Sequence, residues 1–164
     1  MTSPPPFTAS PATGQPRSRR RDELLAIAAD LFAERGFSGV TVDDIGAAAG
    51  VSGPALYHHF DGKEAVLGEM LLAISQHLLA GGRALRDSIA PEQLLEELIE
   101  MHVDFAVDQR ALITVHFRDL PHARADDQRR IKSLQRLYVE IWVQALVERT
   151  PGLTANIALS LIHL

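Results

Sequence analysis

The stretch from Thr41 to Lys63, TVDDIGAAAGVSGPALYHHFDGK, constrains this chain more than any other part of it. It reads as two short helices joined by a tight turn and delivered into a third, longer helix. Thr41 is an N-cap candidate, Asp44 stands at the reciprocal capping-box position, and Asp43 adds a carboxylate at the positive helix end. Ile45 and Ala49 fall one turn apart on one face. Gly50 supplies the left-handed residue that ends the first helix and reverses the chain. Ser52 is a second N-cap candidate, and Pro54 sits in the first turn, where its missing N–H costs nothing. Leu56 and Phe60 are one turn apart and point inward, leaving Gly53, Ala55, Tyr57 and His58 nearer the outer surface. A short helix with small residues at its start and polar or aromatic groups outward suits the major groove, because its backbone can approach base edges. Asp61 and Glu64 mark the next helix start, with Lys63 beside them.

Upstream, Leu24, Leu25, Ala28, Leu31 and Phe32 repeat at helical spacing and predict a helix from about Ser18 to Arg35, stopped by Gly36. Phe37 then returns to the core. Residues 1–17 are rich in Pro, Ser and Thr and are expected to form a disordered leader. Arg17, Arg19, Arg20 and Arg21 follow as a basic cluster with two readings, a solvated helix start or an arm that contacts phosphates.

Two motifs carry a family resemblance: AGVSGPALYHHF at residues 49–60, and LFAERGF at residues 31–37 at the matching upstream spacing. The region from Arg21 to Leu67 resembles the N-terminal DNA-binding domain of the TetR family of bacterial transcriptional repressors. The resemblance implies an all-α fold, with a three-helix helix-turn-helix domain over residues 18–63 and a helical ligand-binding and dimerisation domain over residues 64–164. It also implies that the helix starting at Lys63 connects the two, so that its tilt sets the spacing of two reading heads in a homodimer. Base-facing positions are then Gly53, Pro54, Ala55, Tyr57 and His58, and phosphates fall to Thr41, Ser52, Tyr57, Lys63 and the arm residues Arg19, Arg20 and Arg21. The sequence departs from the family at Asp43 and Gly53, where a polar or basic side chain is frequent; shape readout and close backbone approach take a larger share there.

Beyond Lys63, Val66, Leu67, Met70, Leu71, Ile74, His77 and Leu78 trace one helical face, with Gly81 and Gly82 expected to weaken its far end. His77 reads as an exposed or interdomain residue. Pro91 opens a helix striped by Leu94, Leu95, Leu98, Ile99, His102, Phe105 and Ala106. A short segment from Leu112 to Leu120 precedes Pro121, and a long helix follows from about Asp126 to Arg149. Thr154 can cap a last apolar helix with Ile157, Leu161, Ile162 and Leu164. The sequence ends inside that pattern, so the C-terminal domain is expected to be truncated relative to the family.

A formal net charge of −5 is not the basic balance of a typical nucleic-acid binder, so the distribution of charge matters more than its sum. The absence of cysteine removes disulfides, thiolate metal sites and cysteine nucleophiles, and fits a cytoplasmic location. No uncharged apolar run is expected to reach the roughly 20 residues of a membrane span. His58 and His59 are adjacent and point about 100° apart on a helix, so they do not share a metal, and no nucleophile elbow or phosphate loop is present. No catalytic residue, metal or cofactor is assigned. Met101, His102, Phe105, Phe117, Tyr138 and Trp142 form an aromatic-rich set that reads either as plain core or as the lining of a small-molecule pocket.

The sequence therefore predicts a DNA-binding transcriptional repressor that reads a two-fold symmetric double-stranded operator. A small hydrophobic effector, such as an acyl thioester, lipid or drug, would release it. The alternative is a helical ligand-binding or interaction fragment that does not bind DNA because its dimer interface is missing.

Overall fold

The computed structural model describes residues 16–162, so residues 1–15 of the expected leader 1–17 and the terminal Leu164 lie outside the described residues, while Pro16 and Arg17 of that leader belong to the first helix. Among the described residues eight α-helices follow one another: α1 (Pro16–Arg35), α2 (Val42–Ala48), α3 (Gly53–Leu56), α4 (Lys63–Ser88), α5 (Pro91–Asp108), α6 (Arg110–Asp119), α7 (Ala125–Arg149) and α8 (Ala155–Ile162). Short 3-10 turns lie at Phe37–Gly39 and Leu120–His122, and the described residues contain no strand. The all-α expectation holds, with the first helix starting at Pro16 rather than Ser18.

The compact units do not follow a sequential division at residue 63. The first unit takes the chain up to Ile74 together with Gln109–Arg129; the second takes Ser75–Asp108 and the chain from Arg130 onward. Long-range packing draws α6 and the start of α7 into the first unit, where α1 packs along α6.

In the first unit the core is built by Leu24, Ala28 and Phe32 of α1, Phe37, Val40, Ile45, Leu56, Phe60, Val66 and Leu67, and Leu112 and Val115 of α6, all buried. Phe32 and Phe37 meet at 5.5 Å between ring centroids, so Phe37 does return to the core as the sequence predicted. Residues three, four and seven apart on α1 supply one wall, which is why a moderately polar helix docks firmly.

The second unit is organised around Leu79, Leu94, Leu98, Tyr138, Ile141 and Ala145, with Leu134, Leu137, Met101 and Trp142 packed against them. Gly81 and Gly82 do not weaken α4, which runs unbroken to Ser88. Their missing side chains make room instead: a Cβ on Gly82 would lie 3.0 Å from Tyr138 Cε2, and one on Gly81 would lie 2.6 Å from Met101 Sδ.

By length and composition α4 would also suffice to cross a membrane, contrary to the expectation that no segment would. Its apolar residues Val66, Leu67, Met70, Leu71, Leu72, Ile74 and Leu79 are buried within the protein, which accounts for that composition. On α8 only Ala158 is buried, and Ile157, Leu159 and Leu161 are exposed.

Candidate nucleic-acid interface

At Thr41 the capping box forms as expected. Asp44 N–H donates to Thr41 Oγ1 at 3.1 Å, while the Thr41 N–H and hydroxyl donate to Asp44 Oδ2 at 2.8 and 2.5 Å. These bonds stabilise the ionised carboxylate and hold Asp44 below the usual carboxylate range. They also engage the Thr41 hydroxyl, which the sequence assigned to a phosphate. Ile45 is buried beneath α2, and Gly50, at φ 66°, makes the left-handed turn that sends the chain toward α3.

Ser52 takes the extended N-cap conformation, and its carbonyl accepts from Ala55 and Leu56 N–H at 2.9 and 3.3 Å. Its hydroxyl makes no capping bond, contrary to expectation. The reason is local: an N-cap side chain needs the N–H of the second or third helical residue. Here Pro54 has none, and Ala55 N–H is already bonded to the Ser52 carbonyl. Ser52 is exposed, with its hydroxyl available to a phosphate oxygen.

The one-turn helix α3 is fixed by Leu56 and Phe60, at 1% and 3% exposure, and turns outward Pro54, Tyr57 and His58, with Ala55 half-buried between them. Tyr57 is 59% exposed, a large aromatic surface facing solvent. Leu56 and Phe60 point inward and Tyr57 and His58 outward as predicted, whereas Ala55, also expected outward, is half-buried.

The cations behave differently from expectation. Arg21 donates through Nε to Glu69 Oε1 at 2.5 Å, and its other nitrogens reach Glu69 Oε2 and the His59 carbonyl. Its guanidinium lies 4.3 Å over the Phe60 ring, and the Glu69 hydrogen bonds raise its pKa further. Arg20 donates to the Ala49 carbonyl at 2.7 Å and to Glu23 at 2.8 Å. Lys63 Nζ donates to the Phe37 and Val40 carbonyls, both at 2.9 Å, and lies 4.3 Å over the Phe37 ring. Arg20, Arg21 and Lys63 were expected at phosphates; in the structure each donates to a carbonyl at or near a helix or turn end within the first unit. Arg19 is exposed.

Two further residues follow the same logic and were not singled out in the sequence. Arg118 donates to the Phe32 carbonyl and, at 3.3 Å, to that of Ala33 at the end of α1, while pairing with the buried Asp119. Arg124 donates to the Asp61 carbonyl at 2.6 Å. No local spacing signals these contacts, because donor and acceptor are far apart in the chain.

The aromatic set divides. In the second unit His102 Nδ1 and Tyr138 Oη lie 3.2 Å apart, and Trp142 stands edge-on to both rings at 5.8 and 6.1 Å. Burial pushes the Tyr138 hydroxyl up to about 12 and lowers His102, so the pair is neutral at neutral pH. Met101 packs on the same core, and Phe105 is buried with His77 at 6.0 Å. Phe117 does not belong with them. It is 83% exposed on α6 in the first unit, on the side away from the buried Leu112 and Val115. His77, expected to be exposed or interdomain, is half-buried in the second unit and lowered by that burial.

A family model described as bacterial regulatory proteins, tetR family, matches residues 24–70. The HTH-type transcriptional repressor KstR2 of Rhodococcus jostii (strain RHA1) is 33% identical over 148 residues, covering 89% of this chain and 70% of that protein. The solved structure of the ketosteroid transcriptional regulator KstR2 of Mycobacterium tuberculosis aligns with a TM-score of 0.80 and 28% identity, over 95% of this chain and 81% of that one. PfmR, a TetR family transcriptional regulator from Thermus thermophilus, aligns with a TM-score of 0.80 and 26% identity, over 87% of this chain and 80% of that one. With a helix-turn-helix of this geometry and relatives of one kind along most of its length, the chain belongs to the TetR family of bacterial regulatory proteins, which are DNA-binding regulators of transcription and not enzymes.

Proposed function

We propose that this chain is a repressor that binds a two-fold symmetric operator as a homodimer in the cytoplasm and leaves it when the second unit takes up a hydrophobic small molecule. The observation that carries the DNA part is the outward face of residues 52–58: Leu56 and Phe60 anchor it from below while Pro54, Tyr57 and His58 stand in solvent. A short helix held in this way enters the major groove and presents its first residues to base edges. Gly53 lets the backbone approach, Ser52 and Tyr57 offer hydroxyls to phosphates, and His58 supplies a polar group near the bases. With Arg20, Arg21 and Lys63 engaged internally, Arg19 is exposed and offers its charge to the backbone.

The effector part is supported by Met101, His102, Tyr138 and Trp142, an apolar aromatic group with one hydrogen-bonding pair, the composition of small-molecule sites between helices. A relative named for ketosteroids points in the same chemical direction, and an acyl thioester would meet the same requirements. A 100-fold preference of the effector for the DNA-incompetent state corresponds to about 2.7 kcal/mol of coupling. Helix α4 is the element suited to carry it, as one unbroken helix with Lys63 and Glu69 in the first unit and Gly82 in the second.

The test is a fluorescence-anisotropy titration of duplex DNA from upstream of the chain's own gene, with light scattering on the complex, repeated with a ketosteroid and a long-chain acyl-CoA. Saturable binding of two chains per duplex, reversed by one of these compounds, is the expected result. Failure to bind at low ionic strength, or one chain per duplex at saturation, contradicts the operator reading. Binding that neither compound reverses contradicts the effector reading alone.

A further inference from the structure

Between Thr41 and Gly62 the sequence contains no Lys, Arg, Asn or Gln. Those are the side chains that form bidentate pairs with guanine O6 and N7 or adenine N6 and N7 in the major groove. The neighbouring cations do not compensate, since Arg20 and Arg21 are held by carbonyls and carboxylates and Lys63 by the Phe37 and Val40 carbonyls. The carboxylates of the segment, Asp43, Asp44 and Asp61, are acceptors only, and Asp44 is bound to Thr41.

On the single turn of α3 the exposed Pro54 and half-buried Ala55 offer only C–H surface. In the major groove that surface has one specific partner, the C5-methyl group of thymine. We propose that this chain selects its operator chiefly through thymine methyl groups packed against Pro54 and Ala55. The centre of each half-site then consists of A·T pairs whose thymines face α3, with His58 adding a single hydrogen bond at its edge and Tyr57 holding a phosphate. The inference rests on the operator-binding reading above and narrows it to a class of DNA sequence.

The experiment starts with duplexes enriched from a random-sequence pool by the full chain. Each thymine of the enriched half-site is then replaced in turn by deoxyuridine, which removes the methyl group and keeps every hydrogen-bonding edge. One or two thymines per half-site should each cost about fourfold in affinity, the transfer free energy of a single methyl group. Repeating the scan with Ala55→Gly should abolish the loss at the thymine that Ala55 touches while leaving the other positions unchanged. An enriched site without thymine at its centre, uracil duplexes bound as tightly as the originals, or equal losses in wild type and variant would each overturn the proposal. The wild-type scan stands by itself should the variant fold poorly. Enrichment of no sequence at all would overturn the operator-binding reading itself, a distinct outcome.

Discussion

The Lys63 ammonium donates to two carbonyls and lies against one face of Phe37, while His122 stacks on that ring at 4.9 Å between centroids and 12° between planes. Three chain segments meet at this point, and the lysine adds a donor to the Phe37 carbonyl, which also accepts from Val40 N–H at 3.4 Å, and to the Val40 carbonyl beyond the 3-10 turn. Lys63→Met keeps the aliphatic stem and removes the donors. The part-buried Val40 carbonyl then relies on water and the Phe37 carbonyl keeps only Val40 N–H, so a loss of about 1 kcal/mol in urea stability is expected. The dependence of DNA affinity on salt should stay as in wild type. A slope lower by about one with stability intact would return Lys63 to the phosphate contacts that the family resemblance had implied. Spacing alone placed this residue correctly at the start of a helix but could not show what its amine touches. The same holds for Arg21, whose carboxylate partner Glu69 lies on another helix.

Helical elements were largely legible because their signals are local. The Thr41 box, the Gly50 turn, the buried Leu56 and Phe60 and the buried Leu94, Leu98 and Phe105 of the α5 stripe follow from residues within one or two turns of each other, while Ile99 and His102, counted in that stripe, are exposed. Gly82 was misread because the reason for it is distant: Tyr138 and Ile141 of α7 occupy the space where its side chain would be. Phe117 was misplaced for a related reason, since periodicity defines a helix but not the unit that a ten-residue helix joins. Gly82→Ala separates the two readings of the glycine. Helix propensity alone would stabilise by up to about 1 kcal/mol. A methyl group 3.0 Å from one Tyr138 ring carbon and 3.3 Å from Ile141 Cδ1 overpacks a rigid contact, and overpacking costs about 1–3 kcal/mol. The expected net effect is destabilisation, seen as a lower Tm, with a smaller change for Gly81→Ala, where the obstacle is the flexible end of Met101. A Tm raised by Gly82→Ala would show that the glycine is a helix defect after all.

At the scale of the whole molecule, a net charge of −5 coexists with a DNA-binding unit in which Arg20, Arg21, Lys63, Arg118 and Arg124 donate to carbonyls at helix and turn ends. Its affinity for DNA must then depend on the fit of one short surface more than on a diffuse positive field. On the reading proposed above, that surface is the outward side of α3. The most direct test is Pro54→Glu, measured by anisotropy on an enriched duplex alongside a thermal melt. A carboxylate in the first helical turn is favourable to the fold, so the melt should be unchanged or slightly higher. On DNA the same carboxylate faces phosphates and base edges without a partner, and affinity should fall at least roughly 100-fold, or about 2.7 kcal/mol. An unaltered binding curve from a normally folded variant would place the DNA elsewhere on the protein and contradict the account at its centre.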